Sequence, residues 1–506
     1  MSLLVRYASK IKGVLSCFDR VIIHGTLPGL CYAAGMTAYL KAHGVRIFDY
    51  PKWAAQWRDL LRTHVETLAA AEGLTSEFIK QVQAFRKEDR IQKILATRGT
   101  QPGLVHIFSA MEPCPSYKPW HDKQTHQTFL KPDSGKCLHY YCYFIARTLG
   151  LCYLRLPTWG PFRAQVYFNG HNWLAAQLRA HAIAYEPVDN AFVAIADWTR
   201  AQALAAALRV ADVQAALDRF AHRYCPILKR LDVRYHWSLM QVEYATDRVF
   251  TDAPALADLY EPLTRTAIHA VKAQHVATFL GHKRTAAYSG ELGTDFTTRS
   301  QGTRIKHHMG AAALKMYDKF GRVLRIETTA NDVTFFKHHR TVEQKDGQRA
   351  VKLAPVRKTI YSLCPDLRAL LLAANLRSLA FLSELSDPSA GVKALRKACE
   401  PVAENGRTYR GVNFFATADQ TLFEQLVRGE FLISGLRNHD LRQLTGRTTA
   451  QISHALKRLR VHGLLKKIAH TYKYYFTDLG RRVILAGLKL KALVLIPALA
   501  ERPATA

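Results

Sequence analysis

Residues 438–477 carry the pattern that most restricts the fold of this chain: two short helices joined by a glycine, followed by two basic strands. "NHDLRQLT" predicts the first helix, and Gly446 marks the turn after it. "TTAQISHALKRLRVHG" predicts the second helix, which ends at Gly463 as its C′ residue. "LLKKIAHTYKYYFTDLG" then predicts two strands around a basic loop. Apolar residues of the second helix recur at i, i+4 and i+7, the spacing of a buried stripe: Ile452, Leu456 and Leu459.

This order of helix, turn, helix and wing resembles the winged-helix domains of MarR-type regulators over about residues 430–490. The resemblance implies that the second helix enters the major groove of DNA with its N-terminal residues at base edges. The residues expected to contact DNA there are Arg447, Thr448, Thr449, Gln451, His454, Lys457 and Arg458. Those expected to contact phosphates from the wing are Lys466, Lys467 and Lys473, and Tyr472 of the wing is also expected to bind nucleic acid. The alternative is a winged helix that contacts proteins and whose charge is only solvated.

The charge of the whole chain indicates the same class of partner. The sequence has 71 Lys and Arg against 40 acids, a net charge of +31 and a pI of about 9.9. Residues 431–482 hold eleven Lys or Arg and two acids, a local net of +9, so most of the excess lies elsewhere. A folded protein of this charge repels itself unless a polyanion binds it, which favours DNA or RNA as partner. An anionic membrane surface and plain solubility are the alternatives.

The cysteines and the termini indicate the compartment. Nine cysteines with no CxxC pair are typical of reduced thiols in a cytosol and argue against a zinc site. Arg and Lys interrupt the first 20 residues, so these lack the apolar core of a secretory signal. Lys489 and Lys491 interrupt the apolar C-terminal tail, which predicts a packing helix and not a membrane span. We therefore expect a cytoplasmic protein without a membrane partner.

Periodicity and composition predict four segments. Residues 1–198 alternate strands with helices and indicate an α/β domain, in which "CLHYYCYFIARTLG" predicts an aromatic helix after a long polar loop. Residues 199–400 predict a helical domain that contains a basic β-meander at 285–340. Residues 401–430 begin with clustered Pro, Gly and Asn and predict a linker to the C-terminal winged helix-turn-helix domain, residues 431–506.

Three carboxylates of the first segment are candidates for a metal centre. Asp19 lies in the apolar strand "CFDRVII", Glu112 closes the strand "LVHIFSAME", and Asp189 begins the helix predicted from "VDNAFVAIADW". This order resembles RNase H/RuvC-type nucleases, although a helix and not a hairpin is predicted after the first strand. The resemblance implies that the three are catalytic and hold Mg²⁺ or Mn²⁺, which would activate water. The alternatives are an ion pair for Asp19, a turn for Glu112 and a helix N-cap for Asp189.

The meander is a second candidate surface. Residues 299–340 hold nine Lys or Arg, three acids and four His. If its strands pair, alternation brings basic side chains, Tyr317 and Glu327 to one surface that could bind a duplex or RNA. "YDKFGRVLRIE" resembles rolling-circle replication initiators, in which a Tyr attacks DNA, but "KHHMG" and "KHHR" replace their His-hydrophobe-His strand. A plain meander with a solvated face is the alternative. The residues of this surface are Lys306, Lys315, Tyr317, Lys319 and Arg325.

Aromatic and basic residues also alternate in "EPCPSYKPWHDK" and "LPTWGPFRAQVYFNGHNW". Such segments can stack unpaired bases and hold phosphates, here with Lys118 and Arg163 as the cations. An aromatic core beneath a polar loop is the alternative.

Five segments together resemble a bacterial mobile-element-like family of about this length: "FDRVIIHGTLPG", "FSAMEPC", "FNGHNWLAAQLR", "KMYDKFGRVLRIETT" and the winged helix. The resemblance implies a bacterial cytosolic protein that binds DNA or RNA, and it transfers no catalytic residue. Three functions follow as hypotheses: a metal-dependent nuclease or transposase, a non-catalytic regulator whose front part senses a ligand or forms a homodimer, and an RNA-binding ribonucleoprotein component. No small-molecule cofactor is expected, because GxGxxG, Walker A, HExxH and GxSxG motifs are absent.

Overall fold

A computed structural model describes residues 7–81, 84–282, 292–299, 302–344, 347–385, 388–469 and 471–500. The chain divides into two compact units, Met1–Ser386 and Asp387–Ala506, here called unit 1 and unit 2. Both mix helices and strands, so the predicted mixed α/β class is confirmed. Among the described residues, no helix has the length and apolar character that a bilayer span requires.

Most strands of unit 1 belong to one 11-stranded sheet. The strands of the unit are β1 (Ile11–Thr26), β2 (Glu77–Ile79), β3 (Gly103–His121), β4 (Thr128–Ala146), β5 (Gly150–Pro157), β6 (Ala164–Asn169), β7 (Tyr185–Pro187), β8 (Phe192–Ile195), β9 (His236–Phe250), β10 (Leu292–Arg299), β11 (Gly302–Met309), β12 (Ala312–Lys319), β13 (Val323–Ala330), β14 (Lys337–Glu343) and β15 (Arg349–Pro355). The sheet order is β10-β11-β12-β13-β9-β1-β6-β5-β4-β3-β2, and β7–β8 and β14–β15 are separate hairpins. Only the β2–β3 pair of the sheet is parallel.

Helices connect the strands of unit 1. They are α1 (Ala33–Ala42), α2 (Tyr50–Ala71), α3 (Lys87–Arg98), α4 (Gly170–Ala180), α5 (Trp198–Ala206), α6 (Val210–Tyr224), α7 (Ile227–Arg230), α8 (Ala253–Ala270), α9 (Ala273–Phe279) and α10 (Arg368–Leu385). Single 3-10 or π-helical turns lie at Ala8–Lys10, Ile47–Asp49, Val333–Phe335, Ile360–Ser362 and Leu363–Leu367.

The two faces of the sheet differ in chemistry. Residues opposite one another on antiparallel strands share a face, and one such row across β4, β5, β6 and β1 is entirely buried and apolar: Phe144, Cys152, Phe168 and Val21. We call this side the apolar face. A row three residues along each strand, on the other side, is Tyr141, Arg155, Gln165 and His24. We call that side the polar face, and the candidate unit 1 sites lie on it.

Two predictions within the first segment are wrong. The aromatic helix predicted from "CLHYYCYFIARTLG" is part of strand β4, and the long polar loop before it is the outer half of the β3–β4 hairpin. Both faces of β4 are buried here, so its apolar run has no period that separates strand from helix. Pro113 and Pro115 fit strand β3 because β2 ends opposite Ala110, which leaves one edge of β3 unpaired beyond that point.

A further strand replaces predicted helix in the middle of the chain. Strand β9 lies at the centre of the sheet, between β13 and β1. The sheet therefore runs across the boundary that the sequence placed after residue 198. Strands β11, β12 and β13 form the meander that the sequence predicted within 285–340, and residues 283–291 lie outside the described residues.

Unit 2 contains small elements around its own apolar core. They are α11 (Pro388–Cys399), β16 (Val402–Glu404), β17 (Arg407–Tyr409), α12 (Thr417–Leu426), α13 (Gly429–Ser434), β18 (Leu436–Arg437), α14 (Asn438–Thr445), α15 (Thr449–Val461), β19 (Leu465–Lys467), β20 (Lys473–Phe476), α16 (Asp478–Leu490) and α17 (Ile496–Ala500), with a π-helical turn at Lys491–Leu495. Segment 401–430, predicted as a linker, contains the β16–β17 hairpin and helix α12.

Candidate functional site

A β-bulge in β1 places a carboxylate inside unit 1. Asp19 and Arg20 together lie opposite Glu243 of β9, because the register with β9 shifts between Phe18 and Val21. A bulge of this kind redirects side chains and is frequent beside functional sites. Asp19 is buried and accepts hydrogen bonds from the amides of two asparagines, Asn169 Nδ2 at 2.7 Å and Asn190 Nδ2 at 2.6 Å.

Helix α4 begins against this carboxylate. Asn169 is its N-cap and accepts a hydrogen bond from the backbone N–H of His171. Gly170 allows the close approach, since a Cβ there would lie 2.2 Å from the carbonyl oxygen of Phe18. The strand β6, the helix α4 and the bulge thus form one packed junction.

Arg325 connects this junction to β9 and β13. Its side chain is completely buried and donates to both oxygens of Asp247, from Nε at 2.7 Å and from Nη2 at 2.6 Å. Nη1 lies 3.4 Å from Asp19 Oδ2. Nη2 also lies 3.0 Å from His171 Nε2, and His171 Nδ1 lies 3.4 Å from Asp19 Oδ1.

A second acidic group lies beside the first. Glu243 and Glu327 face Asp19, and one ligand atom from each of the three acids lies within 4.8 Å of the other two. Lys315 Nζ lies between the two glutamates, 3.0 Å from Glu243 Oε1 and 2.6 Å from Glu327 Oε1. Tyr317 donates its hydroxyl proton to Glu327 Oε2 at 2.8 Å. The predicted pairing of the two meander strands is confirmed, since Lys315 lies opposite Glu327 in the register.

The protonation states follow from burial and neighbouring charge. Burial alone would raise the pKa of Asp19, but the hydrogen bond from His171 and the charge of Arg325 outweigh it and hold the pKa well below its ordinary value. Burial raises the pKa of Glu327, Lys315 opposes that rise, and Glu243 adds to it. Burial and the charge of Glu327 raise the pKa of Tyr317, whose hydroxyl therefore stays protonated and is a poor nucleophile.

The donor set of Asp19, Glu243 and Glu327 is of the oxygen type that Mg²⁺ and Mn²⁺ prefer. The Lys315 ammonium, however, already lies between two of the three carboxylates. A divalent cation would have to displace Lys315, whose side chain is 19% exposed and borders the surface. The three carboxylates therefore fit a divalent cation only if the Lys315 side chain moves away from Glu243 and Glu327.

The three carboxylates that the sequence grouped do not converge. Glu112 lies on β3, four strands from β1, which corresponds to roughly 19 Å at ~4.8 Å per strand. It binds Arg155 Nη2 at 2.6 Å and accepts a hydrogen bond from Tyr141 at 2.6 Å, and these bonds overcome burial and lower its pKa. Asp189 lies in the turn between β7 and β8 and not at a helix start; its side chain is 63% exposed and pairs with Lys319 at 3.0 Å.

The basic meander surface is mostly internal. Arg325 is completely buried, and Lys315 and Lys319 are ion-paired with side chains only 19% and 10% exposed, so these three do not present a basic surface to a duplex. Burial of the polar face beneath the β7–β8 turn is the physical reason, since the Asn190 carbonyl accepts from Arg325 Nη2 at 2.6 Å. Lys306 is 37% exposed, beside Asp295 at 3.9 Å.

Residues 438–477 of unit 2 form two helices and two strands in the order that the sequence predicted. Gly446 has the left-handed φ of 63° that ends α14, and Thr448 caps α15 through the Gln451 backbone N–H. The predicted stripe is completely or almost completely buried: Ile452, Leu456 and Leu459. Thr449, Gln451 and His454 are exposed along α15.

Two predicted DNA contacts on α15 are already engaged. Arg458 is buried and binds Asp419 at 2.6 Å, so it supports the core of unit 2 instead of a ligand. Lys457 forms a short ion pair with Glu404, in the β16–β17 hairpin. Arg447 donates to the carbonyl of Ala418 at 2.7 Å and borders an open groove of about 480 Å³ that Gln451 and His454 also line.

The strands after α15 carry exposed cations. Lys466 and Lys467 are exposed, Lys473 is half-buried, and Tyr472 is 82% exposed at the end of the connecting loop. Lys467 Nζ lies 5.2 Å from the centre of the Tyr472 ring. These side chains leave a basic and aromatic edge open on unit 2.

Comparison of the chain with protein-family profiles, with characterised proteins and with solved structures finds no match. The function must therefore be argued from the geometry.

Sequence reasoning missed five members of the buried network: Asn169, His171, Asn190, Glu243 and Asp247. Glu243 and Asp247 lie in β9, whose segment was interpreted as helix. The segment "QVEYATDRVF" did carry a signal for a strand, because polar and apolar residues alternate in it. A strand there places Glu243 and Asp247, four residues apart, on one face.

Proposed function

We propose that the protein binds DNA through residues 431–490, folded as a winged helix. The observation that carries the proposal is the order α14, Gly446, α15, β19 and β20, with exposed lysines on the wing strands. The N-terminal turn of α15 is open to base edges at Thr449 and Gln451, and the wing offers Lys466 and Lys467 to phosphates. Residues 387–506 hold 20 Lys or Arg and 9 acids, a net of +11, which favours a polyanion.

The salt dependence of binding tests this proposal. Binding of a fluorescent DNA duplex to the full chain is measured by anisotropy from about 50 to 200 mM salt, beside RNA and single-stranded DNA of the same sequence. Each phosphate contact contributes a slope of about 0.9 in log K against log salt. We expect the double variant Lys466→Gln, Lys467→Gln to lower that slope by about 2.

Lys489→Gln is the matched control, an exposed lysine of the same unit on α16. It should leave the slope unchanged. An unaltered slope in the double variant, or the same loss in the control, would contradict contact through the wing. Stronger binding to RNA than to the duplex would favour the ribonucleoprotein hypothesis.

The acidic group of unit 1 favours a second candidate function, divalent-cation-dependent cleavage or strand transfer of nucleic acid. The specific observation is that Asp19, Glu243 and Glu327 come from three neighbouring strands with ligand atoms within 4.8 Å. A bound Mg²⁺ or Mn²⁺ would supply Lewis-acid stabilisation of a phosphodiester or an activated water. Lys315, displaced from the two glutamates, would then be free to neutralise a phosphate.

Manganese binding tests this second function separately from DNA binding. Electron paramagnetic resonance should detect Mn²⁺ bound by the full chain and lost in Glu327→Gln, whereas Glu112→Gln, four strands away, should keep it. Lys315→Met should tighten Mn²⁺ binding, because the competing ammonium is gone. Equal Mn²⁺ binding by the unaltered chain and by Glu327→Gln would exclude a metal site at these carboxylates. Mn²⁺ binding without cleavage of any strand would mean that the bound metal has a structural role only.

A further inference from the structure

A cavity of about 190 Å³ opens on the polar face of unit 1, away from the acidic group. Its walls are apolar, with four prolines and Trp159, and its polar lining is largely cationic or neutral. The polar side chains that matter are His24, His139, Arg155, Arg163 and Gln165. None of them belongs to the network around Arg325.

The register of the sheet builds this cavity. Gln165 of β6 lies opposite both His24 of β1 and Arg155 of β5, so the three side chains share the polar face. The Gln165 side chain is fixed at both ends: its Oε1 lies 3.2 Å from His24 Nε2, and its Nε2 donates to the Tyr153 hydroxyl at 3.1 Å. The arrangement is held in place before any ligand enters.

The two arginines of the cavity differ in their partners. Arg155 is bound to Glu112, through Nε at 3.0 Å and Nη2 at 2.6 Å. Arg163 forms no ion pair in the part of the chain that the structure describes, and its Nε is buried with no hydrogen-bond partner there. A buried donor without a partner costs free energy unless a ligand or water supplies an acceptor. The cavity therefore contains a positive charge and a donor that remain uncompensated.

The neighbouring imidazoles respond to that positive charge. Burial, together with the charges of Arg163 and Arg155, lowers the pKa of His24. Burial and Arg155 lower the pKa of His139 to about 4. Both rings are thus neutral at pH 7, and each already directs its single N–H to an acceptor, His24 to Gln165 Oε1 and His139 to the Cys137 carbonyl. An anion in the cavity would therefore be held mainly by the Arg163 guanidinium, and no carboxylate is among the lining residues.

We propose that this cavity binds a phosphate group, and specifically the terminal phosphomonoester of a nucleic-acid strand. A phosphomonoester carries about two negative charges and three acceptor oxygens, which match the positive charge and the unpaired Nε–H of Arg163. Trp159 and the proline walls would contact the sugar or base that follows the phosphate. The strand-end assignment rests on the proposed nucleic-acid binding, whereas the phosphate site itself does not.

Calorimetry on the full chain tests the proposal with defined probes. The probes are inorganic phosphate, AMP, and one single-stranded oligonucleotide with a 5′-phosphate, a 3′-phosphate or only hydroxyl ends. We expect one phosphorylated end to bind at least about tenfold more tightly than the hydroxyl form, since hydrogen bonds between charged groups are stronger than those between neutral ones. Inorganic phosphate should compete for that advantage.

Arg163→Gln should abolish the advantage and leave duplex binding through unit 2 unchanged. Since Arg163 has no carboxylate partner among the described residues, its loss exposes no unpaired acid and the variant should fold. Arg200→Gln, an exposed arginine on α5, is the control and should keep the advantage.

Two results together would overturn the strand-end assignment. The first is that the unaltered chain binds phosphorylated and hydroxyl ends equally. The second is that it binds phosphate and AMP, whereas Arg163→Gln binds neither. Absence of phosphate binding, or its survival in Arg163→Gln, would overturn the site. Loss of duplex binding alone would bear only on the winged helix.

Discussion

Replacement of Arg325 by methionine should destabilise unit 1 more than any other single change in the network. Arg325 is completely buried and supplies donors to Asp247, Asp19 and the carbonyl of Asn190. Methionine fills a similar volume but leaves two buried carboxylates without their main cation. Removal of one partner of a buried ion pair costs about 3–5 kcal/mol, and because this cation serves two acids we expect the upper half of that range, about 4–5 kcal/mol.

Arg248→Met is a control made one residue from Asp247 on the opposite face of β9. Burial lowers the pKa of Arg248 to about 10, and Arg248 has no carboxylate partner in the described part of the chain. Its Nη1 is buried and lacks a hydrogen bond there. The same chemical change should therefore cost less than about 1 kcal/mol, or stabilise the unit.

Denaturant unfolding followed by tryptophan fluorescence compares the two variants, and its pH dependence reports the cause. The pKa values of Asp19 and Asp247 are lowered in the folded protein, so their stabilisation is present above the unfolded-state pKa near 4 and is lost as the pH falls below it. Without Arg325 their folded pKa values should rise above the unfolded ones. The free energy of unfolding of Arg325→Met should then rise as the pH falls from 7 to 4. The difference in free energy of unfolding between this variant and the unaltered protein should therefore become smaller. A cost equal to that of Arg248→Met, or a difference that does not narrow at low pH, would refute the ion-pair reasoning.

Three further outcomes follow from single contacts. Glu404→Gln should release Lys457 and raise the affinity for duplex DNA about threefold at low salt in the anisotropy assay. An unchanged affinity would mean that the ion pair between Lys457 and Glu404 does not affect DNA binding. Tyr317→Phe should lower the free energy of unfolding by about 1–3 kcal/mol, because Glu327 loses its hydroxyl donor, and an unchanged midpoint would argue against that bond. Gly170→Ala should cost about 1–3 kcal/mol in the same unfolding experiment, since its Cβ would meet the Phe18 carbonyl; full stability would mean that α4 can move away from β1.

The parts of the fold that the sequence predicts are those whose two faces differ in polarity. Helix α15 shows its apolar stripe at helical spacing, and β12 and β13 alternate clearly enough to predict the convergence of Lys315, Tyr317 and Glu327. Strand β4 has no such signal, because Tyr141 and Tyr143 are buried beneath α3 while Tyr140 and Phe144 are buried in the main core. An element that is apolar on both faces shows no period.

The network around Arg325 is harder to predict for a different reason. Its members come from β1, the start of α4, the β7–β8 turn, β9 and β13, and their approach depends on sheet order and on a one-residue bulge. A register shift of one residue would move Asp19 to the other face. The order of carboxylates along the chain, from Asp19 to Glu112 to Asp189, contains no information about that register.

The buried network also bears on how the protein would bind a polyanion. Inside unit 1, Asp19, Asp247, Glu243 and Glu327 lie beside the cations Arg325, Lys315 and Arg20, so the buried network takes up little of the net charge. Most of the formal +31 therefore lies outside this network. Unit 2 accounts for +11 of that excess. If unit 2 alone held the nucleic acid, the larger positive charge of unit 1 would have no polyanion beside it. A second contact on unit 1 would bring phosphates to that charge, and the unpaired Arg163 in its cavity is where we expect one such contact.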